Sequence, residues 1–445
     1  MSDIQIYITL GVFAAVVLAI AFNVLDMAVA TVLGATVLFS LGILTFDDIR
    51  AAEDTAGGTL ALLFGGMVVA RTLAKTGIFE RLGNRLLLAT GGSGRRYLFL
   101  LIALVAPVCA VLPNATTVIL LAPIIIQVAE SLEIDFVGPM VLTAIISNSA
   151  GLLTLVGDPA TFLVGSSIGM SFVAYLKKVS LGGLVCLLAL VPVLPFVMRD
   201  IWRIRRPPPR RREAARIEHP WFVALALVTL AIMLGLFMFG ELLPWRITPP
   251  NAAIIGAALS LLAVYSAKVE PVDNVIRDID WKTLVFLFSI FCLVQGVTRT
   301  GLLQKLALKM NAWFDGDVII VGLFLLVGIA LLSSFLANIP VVAASILLTK
   351  GYMVAAELVP DTALASGFAQ WPATVIPVFI AMMFGATLGG NFTLIGASAN
   401  VVSAGICGAR GRPVSFAMFA RYGVPLAACQ IAVAALCVLI MFRMR

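Results

Sequence analysis

The sequence predicts an all-α polytopic membrane protein built from two inverted repeats, each with five transmembrane helices and one re-entrant hairpin. Three observations carry this expectation. Of 445 residues, 61% are hydrophobic and only 12% are charged, with a mean hydropathy of +1.10; soluble domains carry about 25% charged residues. Apolar runs of about 20 residues, the length that crosses a bilayer core, recur along the chain. Short motifs also recur at spacings of 224 to 244 residues. The composition excludes a soluble enzyme, a nucleic-acid-binding domain and a disordered chain.

Spanning segments are expected at 6–23, 25–45, 58–75, 136–169, 179–198, 221–240, 249–267, 281–298, 372–406 and 422–442. Two of these, 136–169 and 372–406, are too long for one ordinary span. Both hold helix breakers, Gly157 and Pro159 in the first and Gly389, Gly390 and Gly396 in the second, so both should be broken helices. Tyr97–Glu130 and Val318–Lys350 are too long for one span and short for two. Each is interrupted at its middle, by Pro113-Asn114 and by Asn338-Ile339-Pro340. That pattern predicts re-entrant hairpins over 97–130 and 318–350 with polar tips near the midplane. Loop backbone at that depth needs protein or a wet cavity around it. About ten spans and two hairpins result.

The charges indicate orientation. Eight arginines (199, 203, 205, 206, 210, 211, 212 and 216) flank Pro207-Pro208-Pro209 in the linker 199–219, which the positive-inside rule places in the cytoplasm. With five spans before it, both termini fall outside. The acidic loop 46–57, with Asp47, Asp48, Glu53 and Asp54 against Arg50, also falls outside. The 30 Lys and Arg divide into about 20 cytoplasmic and about 10 external. The net charge of +7 is thus a topology signal that calls for no nucleic acid. A prokaryotic-type cytoplasmic (inner) membrane is the expected location. Met1–Gln5 carries Asp3 and no basic residue, so a secretory signal is not expected.

The repeats read directly. Thr76-Gly77-Ile78-Phe79 matches Thr300-Gly301-Leu302-Leu303, and the same offset of 224 carries Asn114 onto Asn338. Thr154-Leu155-Val156-Gly157 matches Thr393-Leu394-Ile395-Gly396 at 239, and Ser171-Phe172 matches Ser415-Phe416 at 244. An insertion around 351–371 explains the drift. Residues 1–198 and 220–445 are therefore expected to be two copies of one unit. The arms 76–90 and 300–315 should lie along the interface as amphipathic helices. Five spans per copy is an odd number, which turns the copies upside down to one another, as in secondary transporters with binding near the midplane.

The candidate site follows from the breaks. Asn114, Thr116 and Thr117 stand at the first hairpin tip, with Gly157 and Asp158 in the first broken helix. Asn338 stands at the second tip, with Gly390, Asn391, Ser398 and Asn400 in the second broken helix. Unwound backbone exposes carbonyls that coordinate cations and half-helix N-termini that face anionic or polar groups. The competing role for these Asn and Thr residues is capping of the broken ends. Asp158 is the most informative charge, because intramembrane carboxylates are costly and usually functional. It is a proton carrier or cation ligand, or a cap for the half-helix at Pro159; its repeat position holds Ala397. Asp26 reads as an interfacial cap, Arg71 as a snorkelling residue and Gln295 as a helix contact. One histidine, His219, rules out histidine-based metal sites and Ser-His-Asp catalysis. Six cysteines in apolar runs without a CxxC pair predict neither disulfides nor zinc, though the fold can still bring two together. No catalytic or metal residues and no cofactor are expected.

The motifs resemble the ion transporter superfamily, which includes arsenite-efflux permeases of the ArsB type, sodium/proton antiporters of the NhaD type, the melanosomal P protein and dicarboxylate/citrate carriers. The residues that carry the resemblance are Asn114-Ala115-Thr116-Thr117 with Leu121-Ala122-Pro123, Gly157-Asp158-Pro159, Asn338-Ile339-Pro340, and the run from Asn391 to Asn400. The resemblance spans nearly the whole chain. It implies an elevator-like or rocking carrier with two hairpins, and a homodimer by analogy with the dicarboxylate members. The departures bear on substrate. Dicarboxylate carriers place Ser-Asn-Thr at both tips, whereas here the tips read Pro113-Asn114-Ala115 and Ala337-Asn338-Ile339. Antiporter-like members tend to carry Asp before each tip Asn, where Pro113 and Ala337 stand here.

A sparsely charged site with one carboxylate suits a small inorganic solute moved with H+. Proton-coupled efflux of arsenite and antimonite is the leading expectation. The alternatives are a Na+-coupled carrier or sodium/proton antiporter, a carrier of organic or inorganic anions, and a channel or scaffold. No Gly-x-x-x-x-Gly-Lys-[Ser/Thr] motif is present, so an energising ATPase would have to be a separate partner.

Overall fold

A computed structural model describes residues 3–21, 24–207, 219–365 and 368–444. Arg210, Arg211, Arg212 and Arg216 of the linker lie outside the described residues. The architecture is all-helical. The first half runs α1 (Asp3–Ala21), α2 (Met27–Ser40), α3 (Phe46–Ala74), α4 (Ile78–Thr90), α5 (Gly94–Cys109), α6 (Asn114–Ser131), α7 (Val137–Ala150), α8 (Pro159–Ser167) and α9 (Phe172–Leu188). The second half runs α10 (Pro220–Phe239), α11 (Pro249–Ala267), α12 (Trp281–Arg299), α13 (Leu302–Phe314), α14 (Val318–Phe335), α15 (Asn338–Ala355), α16 (Ile376–Gly389), α17 (Ser398–Ala409) and α18 (Phe416–Arg443). Nine helices among the described residues are long and apolar enough to cross a bilayer, or ten when the pair α8 and α9, bent by 107°, counts as one span.

The same local chemistry builds both halves. The arms α4 and α13 each start after a left-handed glycine, Gly77 (φ 67°) and Gly301 (φ 71°). A side chain there would be strained, and glycine is not. In each arm the preceding threonine hydroxyl donates backwards, Thr76 to Leu73 O at 2.6 Å and Thr300 to Val297 O at 2.7 Å. The helix breaks fall at the expected places: 110–113 and 336–337 within the two long apolar stretches, and 151–158 and 390–397 within the two overlong spans.

Three details depart from expectation. The segment 46–57 is the first three turns of α3 and not a loop. Its acidic residues explain this: Asp48 accepts from Thr45 N at 2.8 Å and from Thr45 Oγ1 at 2.6 Å, which closes the helix start. The second span shrinks to the 14 residues of α2. The paired helices at the two tips are also longer than half-spans. α6, α14 and α15 have 18 residues each, about 27 Å at 1.5 Å per residue.

Packing crosses between halves in matched pairs. α3 packs on α11, and α2 packs on α12. α8 packs on α15 and α16, while α17 packs on α6 and α7. Each half thus completes its core with the other. Gly65 marks the closest approach: a Cβ there would land on the Ala253 carbonyl of α11. Ion pairs repeat the exchange. Arg299 at the end of α12 meets Asp48 of α3 at 2.6 Å. At the end of α3, Arg71 meets Glu270 (3.1 Å) and Asp278 (2.7 Å), and Lys75 meets Glu270 (3.3 Å). Arg71 is therefore tied to the other half and does not snorkel free. Asp26 caps α2, accepting from Ala28 N at 3.0 Å, and pairs with Lys282, whose hydrogen bond holds its carboxyl below the usual range.

Candidate functional site

The two breaks are built alike from backbone upward. In the first, Gly151 and Gly157 approach so closely that a Cβ on Gly157 would meet Gly151 O at 3.0 Å. In the second, a Cβ on Gly390 would meet Gly396 O at 3.0 Å. Side chains are excluded at both crossings, which keeps the unwound carbonyls accessible to neighbouring donors. A threonine then pins each break to the preceding hairpin: Thr154 Oγ1 donates to Ala110 O, and Thr393 Oγ1 donates to Ser334 O.

The side chains differ. In the first break, Asp158 is buried and caps α8. Its Oδ2 accepts from Thr387 Oγ1 at 3.1 Å, Thr161 Oγ1 at 3.3 Å and Thr161 N at 3.4 Å, and its Oδ1 faces Asn114 Nδ2 at 3.5 Å. Asp158 takes part in none of the ion pairs among the described residues. In the second break Ala397 stands at the cap of α17, and no side chain caps that helix. The space is organised by amides. Asn400 Nδ2 donates to Gly390 O and to Thr393 O, both at 2.8 Å.

One residue from each half reaches into the other's break. Thr387 of α16 serves Asp158. Asn148 of α7 donates to Asn391 Oδ1 at 3.0 Å and to Asn400 Oδ1 at 2.9 Å. Behind them, Asn391 Nδ2 donates to Ser149 Oγ (3.0 Å) and Gln430 Oε1 (2.9 Å), and Gln430 Nε2 donates to Ser149 Oγ (2.8 Å). All of these residues are buried, and Asn148 Oδ1 is left without a partner. A buried polar group without a partner is costly, so this acceptor is available to a donor.

Of the sequence-derived residues, the structure brings Asn114, Gly157 and Asp158 together at one break and Asn338, Gly390, Asn391 and Asn400 at the other. Asn338 Oδ1 accepts from Ser333 Oγ. Thr117 is buried with its hydroxyl facing the Cys109 thiol, and Thr116 is half-buried on the first turn of α6. Ser398 is exposed and stands apart from the amide network. Sequence reasoning missed Thr161, Thr387, Asn148, Ser149 and Gln430. A signal for three of them existed: Thr161 and Asn400 are repeat mates at offset 239, as are Asn148 and Thr387. Gln295 lines a cavity of about 80 Å3 with Thr55 and Ser167 between α3, α8, α12 and α15. Cys186 of α9 and Cys437 of α18 lie thiol to thiol, so the fold does bring two cysteines together.

An all-helical chain with nine or more apolar helices and polar residues gathered at paired helix breaks defines a multi-pass membrane transporter. The chain belongs to the citrate transporter family, whose model matches residues 17–369. It is 42% identical to an uncharacterized transporter of Synechocystis sp. over 98% of this chain and 97% of that one. It is 31% identical to an uncharacterized transporter of Mycobacterium bovis (96% and 97% covered). The human P protein is 25% identical over 95% of this chain and 58% of its own length. The fold is similar to that of the YdaH transporter of Alcanivorax borkumensis, with a TM-score of 0.54 at 14% identity and 90% of each chain covered.

Proposed function

We propose that the protein is a secondary active transporter working by alternating access, with its two halves as inverted copies, and that Asp158 carries the coupling proton. Its solute is a small inorganic hydroxide of the arsenite and antimonite kind, moved outward. The observation that carries this reading is the set of partners around Asp158: hydroxyls and amides, with no cationic side chain. A carboxylate without a counter-ion in a water-poor site is poised to bind a proton or a cation. Hydroxyls and amides hold an uncharged hydroxide by hydrogen bonds, whereas a polycarboxylate needs positive charge to offset its desolvation. A citrate-like organic anion is the second reading. It is favoured by the family match and by the uncapped N-terminus of α17, whose dipole favours negative charge.

Arsenite accumulation in inside-out vesicles tests this directly. Uncoupler-sensitive accumulation in sodium-free buffer is expected. Accumulation that requires sodium replaces H+ with Na+ as the coupling ion. Citrate uptake without arsenite uptake replaces the first reading with the second. The proposed topology, with the linker 199–219 in the cytoplasm and both termini outside, is tested with single cysteines at positions 50 and 205. They should label from opposite faces, and labelling from one face rejects the five-span unit.

A further inference from the structure

The cavity of about 80 Å3 between α3, α8, α12 and α15 lies off the two helix breaks but along the helices that leave them. Ser167 on its wall stands about 14 Å along α8 from Asp158, at 1.5 Å per residue. Ala343 and Ile346 line it from α15, whose first residue is the tip Asn338. On the far side, one turn beyond Gln295 on α12, Arg299 pairs with Asp48 at the start of α3. Thr55 is exposed, Ser167 and Gln295 are half-buried, and Leu163 is buried. The mouth is therefore at Thr55, and the floor points along α8 toward the first break.

Its polar groups are complementary to an uncharged hydroxide. Thr55 Oγ1 donates to Ala51 O at 2.9 Å, and Ser167 Oγ donates to Val164 O at 2.8 Å. Both hydroxyl protons are spent on their own helices, and each oxygen is left as an acceptor. The Gln295 carboxamide makes no hydrogen bond among the described residues, which leaves its NH2 donors and its carbonyl acceptor free. A solute with O–H groups donates to Thr55 and Ser167 and accepts from Gln295. An ionised carboxylate only accepts; it would face the two hydroxyl oxygens, with exposed Glu53 and Asp54 beside the mouth. A bare cation would meet three side-chain oxygens, too few to replace the shell of about six that hard cations take. Among the described residues that line the cavity, none is charged. A water needs about 10 to 15 Å3 of such space, so the cavity holds a solute of a few heavy atoms.

The other half does not repeat this set. The offset of 224 carries Gln295 onto Arg71, which is tied to Glu270 and Asp278. The offset of 239 carries Ser167 onto Ile406. We propose that Thr55, Ser167 and Gln295 form a second solute-binding site, a waiting position for the uncharged hydroxide between Asp158 and the membrane face where α3 begins. This rests on the solute reading above and deepens it by giving that solute a place on one face only.

The test is exchange of labelled arsenite in inside-out and right-side-out membrane vesicles in sodium-free buffer. The face at which a cysteine at position 50 is labelled, in a separate preparation, is the face where α3 begins. Gln295→Leu should raise the half-saturation concentration at that face about tenfold relative to the opposite face, the effect of losing one or two hydrogen bonds. The double substitution Thr55→Val with Ser167→Ala removes both acceptors and should move the ratio in the same direction. An unchanged ratio in Gln295→Leu, with arsenite still exchanged, rejects the second site and leaves the solute reading standing. Equal increases at both faces reject it too, because a general loss of packing moves both. No saturable arsenite exchange by the unmutated protein rejects the solute reading and the second site with it. Where Gln295→Leu fails to reach the membrane, the double substitution decides by the same ratio.

Discussion

The two helix breaks share a backbone and differ in what fills it. Close glycine crossings and a threonine tie to the hairpin recur in both. The first then holds a carboxylate, Asp158, among hydroxyls. The second holds Ala397 among carboxamides. Duplicated geometry thus allows divided labour: one break can change charge, and the other is a neutral network of amides with one acceptor unpaired. Buried networks of the second sort rigidify when every member is paired and are costly when broken. Within that network Asn148 Oδ1, at the join between the two halves, is left without a partner.

The largest effect should come from removing that difference. Asp158→Asn keeps size and polarity and should reduce uncoupler-sensitive transport in vesicles to background. Moving the carboxylate, as Asp158→Ala with Ala397→Asp, should not restore it, because Asn400 and Asn148 replace Thr161 and Thr387 as neighbours. Restored transport would show that the breaks are interchangeable.

The second break should instead respond in stability. Asn391→Leu leaves Gln430 Oε1 and an Asn148 donor without one of their partners. A loss of about 2 to 3 kcal/mol is expected, read as a lower thermal midpoint in detergent. An unchanged midpoint would remove the structural role from this network. Gly65→Val tests the crossing of the halves elsewhere. Its side chain meets the Ala253 carbonyl, and overpacking should cost about 1 to 3 kcal/mol.

Smaller effects are expected from the ion pairs. Arg299→Gln leaves Asp48, which is 11% exposed, with only its Thr45 bonds, at a cost of about 1 kcal/mol. The Asp26–Lys282 pair is more exposed, and Lys282→Ala should cost under about 0.5 kcal/mol. The carboxyl of Asp26 is held low in the folded state. Its contribution is therefore present above the ordinary carboxylate value of about 3.9 and is lost as pH falls through the lowered value. The midpoint difference between Lys282→Ala and the unmutated protein should shrink over that acid range.

Much of this was legible in the chain. Apolar runs, internal breakers and recurring motifs report local structure, and helix breaks obey local rules about glycine, proline and polar residues. Asn114, Gly157 and Asp158 stood out because polar groups in apolar runs are conspicuous. The segment 46–57 departs for a reason that is only partly local: Asp48 closes a helix start with Thr45 and is paired with an arginine 251 positions away.

What the sequence determined by itself was the class of molecule, the order of its helices and the positions of its breaks, since these depend on hydropathy and backbone preference within about 20 residues. Tertiary structure alone decided which polar groups meet. Thr387 reaches Asp158 across 229 positions, and Asn148 reaches Asn400 across 252. Those meetings are set by the way α8 and α17 pack into the opposite halves. Hydrogen bonding depends on distances of about 3 Å, which no single stretch of chain encodes.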